Sequence, residues 1–168
     1  MKKLLLVLFG LFIIGMSYSQ EIISSKTLPS VKLKDLDGKE VDLIKYSENE
    51  KITIVSVWAT WCSPCIKELT NTSDLLEDWV DEYDVELIAI SIDNSRNSMK
   101  VKPFVNGKGW DFKVLLDVNS DTKRALNYSN PPFTLLVNKE GKIVYRHTGY
   151  MEGDEYILEE EIKKIATE

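Results

Sequence analysis

The chain of 168 residues is 43% hydrophobic and 29% charged, with a net charge of -6, the balance of one ordinary globular domain with enough apolar material for a real core. An acidic domain without a Lys/Arg-rich block or an aromatic-basic stripe does not attract a phosphate backbone, so nucleic acid is set aside as a partner. With two cysteines and one distant histidine, His147, the chain cannot build a closed structural zinc site, which takes about four ligands, and no metal is expected.

Lys2 and Lys3 precede an apolar run from Leu4 to Ile14, and small residues follow at Ser17 and Ser19, the pattern of a secretory signal peptide. A spanning helix needs roughly 20 apolar residues, so residues 1–19 are expected to be cleaved between Ser19 and Gln20, with an uncleaved anchor that includes Met16 as the alternative. Cleavage removes two lysines and no acids and moves the net charge from -6 to -8. The destination is then the periplasm or another extracytoplasmic space, where a disulfide can persist. Residues 20–27 are polar and read as a loose lead-in to a single domain over residues 28–168.

Within that domain "VKLKDLDGKEVDL" alternates apolar and charged residues about Asp37-Gly38, which predicts a hairpin with a primed turn, an N-terminal extension of a sheet. The β-branched run "KITIVSVWA" predicts a buried central strand, and it leads directly into "WATWCSPCIKE". From Ser63 to about Glu82, Ile66, Leu69, Leu76 and Val80 recur at helical spacing with Leu75 and Trp79 beside them. Both cysteines, Cys62 and Cys65, therefore stand where a strand ends and a helix begins. "VELIAISID" predicts the next buried strand, and a helical stretch around Met99 to Val105 follows, its limits blurred by Pro103 and two glycines. Then come a strand at "FKVLLD", a short helix over Ser120 to Leu126, a strand at "FTLLVN", a turn at Glu140-Gly141 into "KIVYRHT", and an amphipathic helix over Asp154 to Ala166. His147 lies in a strand of alternating polarity and reads as an exposed spectator. Strand-helix-strand units followed by a β-β-α half predict an α/β fold, a mixed central sheet flanked by helices, and a thioredoxin-like fold fits that order.

The cysteine pair could be a staple, a metal clip or a reagent. A staple between residues so close restricts the unfolded chain very little. A reagent needs a thiolate near neutral pH, below the free thiol value of about 8.5, and the unpaired N–H groups and dipole of a helix N-terminus favour one. Cys62 sits at that terminus, Pro64 fits its first turn, and Cys65 lies about one turn deeper on the same side. Cys62 is thus expected to be the exposed attacker and Cys65 the buried resolver. Glu68, at i+3 from Cys65, can bring a carboxylate toward the resolving thiol; a solvated first-turn acid is the plain alternative. Trp58 reads as core, Trp61 as a border to the reactive sulfur, and Lys67 as facing water.

"VWATWCSPCIKEL", followed far downstream by "NPPFTLLVNKEGKIV", resembles the TlpA/ResA-like branch of the thioredoxin superfamily, exported thiol-disulfide oxidoreductases, over roughly Leu28 to Ile165. The resemblance implies that Pro132 is a cis-proline beside the cysteines, that Pro131 before it meets substrate backbone, and that Trp61, Pro64 and Phe133 border the same substrate site. It also implies protein thiol and disulfide substrates, a membrane electron donor, and no cofactor beyond the Cys62–Cys65 pair; a monomer is expected. Cytoplasmic thioredoxins carry a buried aspartate six residues before the first cysteine, and here that position is Ser56. The proton acceptor must then come from elsewhere, and the family's acidic residue at the place of Glu68 supports that assignment. Cytochrome c maturation and repair of periplasmic thiols are the implied substrate classes. Two alternatives remain. A peroxiredoxin-type peroxidase, which shares the fold, would place its cysteine after a Pro-x-x-x-Thr-x-x pattern, and "VSVWATW" before Cys62 holds no proline. A non-catalytic binding domain would retain the fold without the exchange.

Overall fold

The computed structural model describes residues 26–167; the signal-peptide reading and most of the lead-in lie outside them. In chain order the strands are β1 (Lys32–Asp35), β2 (Glu40–Asp42), β3 (Ile52–Trp58), β4 (Val85–Ser91), β5 (Lys113–Leu116), β6 (Phe133–Val137) and β7 (Ile143–Thr148). The helices are α1 (Ser63–Tyr83), α2 (Val101–Lys108), α3 (Asp121–Leu126) and α4 (Asp154–Ala166). They form a seven-stranded mixed sheet in the order β2-β1-β5-β4-β3-β6-β7. The β3-α1-β4 crossover makes the parallel centre, and antiparallel β6 and β7 close one side.

Every residue of β3 is buried, as its continuous β-branched run requires of a strand covered on both faces. Side chains alternate between the two faces. Ile54 and Trp58 join Leu69, Trp79, Val105 and Leu158 under α1, α2 and α4. Val55, Val57, Phe133 and Leu135 face the other way, against Leu28, Leu33, Tyr46 and Leu126. Trp58 is core as expected, with Trp110 packed edge-on at 5.3 Å and Phe104 at 5.8 Å.

Helix α1 follows its predicted limits, but its inner stripe runs through Cys65, Leu69, Thr72 and Trp79, and Val80, read as part of the stripe, is exposed. Trp79 takes the inward direction because it lies seven residues, nearly two full turns, from Thr72. The N-terminal hairpin forms, but not with a primed turn, which needs positive φ at both central residues. Only Gly38 in the loop has one, at +83°. Gly38 N–H donates to the Asp35 carbonyl at 3.0 Å, and the Asp35 carboxylate accepts from the N–H groups of Asp37 and Lys39, a one-sided turn closed by the aspartate's own side chain. Asn138 and Gly141 repeat that arrangement between β6 and β7. The end of the lead-in is pinned, because Ile143 N–H donates to the Lys26 carbonyl at 2.9 Å.

Candidate active site

Cys62 and Cys65 form a disulfide with Cα atoms 5.3 Å apart, at the point where β3 delivers the chain into α1. Cys62 is the N-cap residue of α1 and its side chain makes no capping hydrogen bond. Pro64 stands in the first turn, which carries no acid, so the helix presents its positive end to the Cys62 sulfur without an opposing charge. The sequence reading of an exposed Cys62 needs correction: it is 5% exposed and Cys65 is 0% exposed. Both sulfurs are sheltered because the turn before α1 folds back, with Cys62 N–H donating to the Ala59 carbonyl at 3.0 Å. The difference in access keeps the expected sense.

That turn is fixed from behind by a residue the sequence reading missed. Buried Asp93, two residues past β4, accepts from Thr60 N–H at 2.8 Å, from the Thr60 hydroxyl at 2.7 Å and from the Ser91 hydroxyl at 2.9 Å. An aspartate just past a largely apolar strand was the available signal. Trp61, on the same turn, is 61% exposed, and Pro64 is exposed beside it. The Pro131–Pro132 bond is cis, with Pro132 buried and Pro131 half-buried. The Pro132 carbonyl accepts from Gly149 N–H at 2.9 Å, which ties this loop to the end of β7. Lys67 faces water and pairs with Glu152 at 2.5 Å.

Phe133 does not border the site. It is buried and stacks on Tyr128 at 5.0 Å on the opposite face of the sheet. Alternation along β6 decides this: Thr134 points toward α1, so Phe133 must point away.

Thr134 leads to the acid. The Glu68 carboxylate is 7% exposed; one oxygen accepts from the Thr134 hydroxyl at 2.6 Å and the other from the Ser56 hydroxyl at 3.4 Å. Ser56 holds the strand position where cytoplasmic thioredoxins have aspartate, and here the carboxylate of Glu68 reaches that place from the helix instead. Burial pushes Glu68 up to about 7, against the lowering effect of the hydroxyls of Thr134 and Ser56, and the charge of Asp154 adds to the rise. Glu68 is therefore not a solvated surface acid; it is a sheltered carboxyl one helical turn from Cys65, with a proton affinity suited to exchange near neutral pH.

His147 is not an exposed spectator. It is half-buried, its Nε2 lies 3.1 Å from Asp154 Oδ2, and it lines a small pocket with Glu68, Thr134, Tyr145, Tyr150 and Asp154. Asp154, seven residues on at the start of α4, lies against the ring and covers part of it, a contact that strand periodicity does not register.

The arrangement is a redox-active cysteine pair with a buried carboxyl beneath it, and the comparisons agree with that chemistry. The model of the AhpC/TSA family matches residues 25–146. The thiol-disulfide oxidoreductase ResA of Bacillus thuringiensis subsp. konkukian is 30% identical over 140 residues, covering 83% of this chain and 77% of that protein. ResA of Bacillus subtilis is 30% identical over 132 residues, covering 79% and 71%. The solution structure of a thioredoxin-like protein from Porphyromonas gingivalis superposes with a TM-score of 0.75 at 46% identity, over 83% of this chain and 92% of that one. The chain belongs to the AhpC/TSA family and, within the thioredoxin superfamily, to its TlpA/ResA-like thiol-disulfide oxidoreductases.

Proposed function

We propose that this thiol-disulfide oxidoreductase is an exported reductase of protein disulfides, acting as a monomer after removal of residues 1–19 and recharged by a membrane electron donor. The observation that carries the reading is the graded access of the site: Cys62 at the lip, Cys65 fully covered, and the Glu68 carboxyl held beneath. The Cys62 thiolate attacks a substrate disulfide and forms a mixed disulfide, and one substrate sulfur leaves as a thiolate. Glu68 takes the proton of Cys65, whose thiolate attacks Cys62 Sγ, closes the Cys62–Cys65 bond and releases the second substrate sulfur. Two electrons pass from the dithiol to the substrate. The substrate segment lies across exposed Trp61 and Pro64 and along the Pro131-Pro132 loop. Disulfides of apocytochrome c and of oxidised extracytoplasmic proteins, presented in an extended segment, are the candidate substrates.

The test is the redox equilibrium of the cysteine pair against glutathione, together with the rate of insulin reduction by dithiothreitol. A reductase gives a potential in the thioredoxin range, about -270 mV, and accelerates insulin reduction; a value near that of a strong oxidant, about -120 mV, overturns the proposed direction.

A further inference from the structure

Glu68 can take the proton of Cys65 only when it is ionised, so a proton it already carries needs a way out before Cys65 can close on Cys62. The route past the cysteines is poor: Cys65 is 0% exposed and Cys62 5%, and in the mixed disulfide the substrate itself sits on Cys62. Behind Glu68 the sheet is built differently. Ser56 on β3 pairs directly with Thr134 on β6, and Thr134 pairs directly with His147 on β7. Cross-strand partners share a face, so three polar side chains form one row from the centre of the sheet to its edge. Glu68 holds the inner two through its carboxylate oxygens, and Asp154 holds the outer one at 3.1 Å. The pocket that joins Glu68, Thr134, His147 and Asp154 opens to the surface and has room for about one water.

We propose that the His147–Asp154 pair is the outlet through which Glu68 exchanges its proton with solvent, a back door that stays open while substrate covers the cysteines. The inference rests on the reading of Glu68 as proton acceptor for Cys65. The proton passes from the Glu68 carboxyl to the pocket water, then to the imidazole of His147, and from there to bulk water, leaving Glu68 ionised to take the proton of Cys65 in the same turnover, so that closure waits on this outlet wherever Glu68 starts protonated. The His147 side chain is 33% exposed against 14% for Asp154, so the imidazole spans pocket and solvent. The other titratable groups facing the pocket serve this less well. Tyr145 on β7, stacked on His147 at 6.2 Å, is held above the ordinary phenol value by burial. Tyr150, in the loop before α4, is held higher still by burial and by its hydrogen bond to Glu155. Glu155 on α4 is committed to Tyr150, Gly153 N–H and Asn71. Imidazole is the side chain that ordinarily exchanges protons between pH 5 and 8. Asp154, whose charge bears on Glu68, orients it.

The experiment separates the two phases of a single turnover. Reduced protein is mixed in dilute buffer with a peptide held as a mixed disulfide with thionitrobenzoate; release of the coloured thiol times the attack by Cys62, and tryptophan fluorescence times the closure by Cys65. His147→Gln keeps a hydrogen-bonding group toward Asp154 and removes the titration. It should slow closure on the order of tenfold near pH 7, leave the attack phase unchanged, and recover when imidazole is added. Glu68→Gln should slow closure without recovery by imidazole. If Glu68→Gln is slow and His147→Gln closes at the unmodified rate, or is slowed without rescue by imidazole, the outlet is wrong and the role of Glu68 stands. If Glu68→Gln also closes normally, the acceptor role itself fails, and the outlet with it.

Discussion

Glu68→Gln in the oxidised protein should make the fold more stable, and only above acidic pH. In the folded chain Glu68 is raised to about 7 by burial, whereas an unfolded glutamate titrates near 4.3. Between those values the folded state binds the proton more tightly than the unfolded state, so stability falls as pH rises. The contribution is fully present below the unfolded value and is lost as pH passes the folded one. At about 1.4 kcal/mol for each pH unit of separation, the loss totals about 4 kcal/mol by pH 8. Glutamine is neutral at every pH, and its amide oxygen can still accept from the Thr134 hydroxyl, which donates at 2.6 Å in the parent. Urea unfolding of both oxidised proteins across the acid-to-neutral range measures the effect, and the difference between the two curves cancels the other carboxylates. The variant should match the parent near pH 4 and exceed it by about 4 kcal/mol near pH 8. Curves that stay parallel over the whole range would show that Glu68 ionises at its unfolded value and that its burial costs nothing, which refutes the reasoning.

Iodoacetamide applied to the reduced protein near pH 7 should label Cys62 before Cys65, because only Cys62 keeps an exposed edge; peptide mapping that finds Cys65 labelled first reverses the assigned roles. Pro131 has no N–H to offer an extended substrate. Pro131→Thr supplies one and should tighten a trapped complex between a Cys65→Ser variant and a peptide about three- to tenfold; unchanged affinity by calorimetry removes that backbone contact. Gly141 adopts φ of +76°, and a Cβ there would run into the Ser47 backbone carbonyl. Gly141→Ala should therefore cost about 1–3 kcal/mol in denaturant unfolding, and a loss within a few tenths would mean that the hairpin relaxes freely.

The parts of this fold legible in the sequence are those set by local pattern. The β-branched run of β3 could be nothing but a central strand, and the α4 periodicity marks Asp154 to Ala166 at both ends. The start of α1 is announced by Pro64 after an apolar strand. What was not legible depends on parity and on distant partners. The resemblance puts Phe133 at the site, but which of Phe133 and Thr134 faces α1 is fixed by pairing with β3, where Ser56 stands opposite Thr134. The buried hydroxyls of Ser56 and Thr134 in two largely apolar strands were the available hint, and each alone reads as a tolerated small residue. His147 was misjudged for the same reason: alternation along β7 gives its direction but not the α4 residue that covers it.

Moving the acid from strand to helix changes what the site can do. A strand carboxylate at the position of Ser56 would be fixed in the centre of the sheet, enclosed by its neighbours. Glu68 instead sits on the helix that carries both cysteines, at i+3 from Cys65, so any shift of α1 that moves the resolving sulfur moves its acceptor too. The two hydroxyls that hold it favour the ionised form while burial opposes it, and the balance, not either effect alone, brings its proton affinity near neutrality. That balance requires Ser56 and Thr134 to be small: a larger side chain at either position would fill the space the carboxylate occupies, and an apolar one would leave burial unopposed. The serine where cytoplasmic relatives have aspartate is thus not a lost acid but the receiving half of a relocated one.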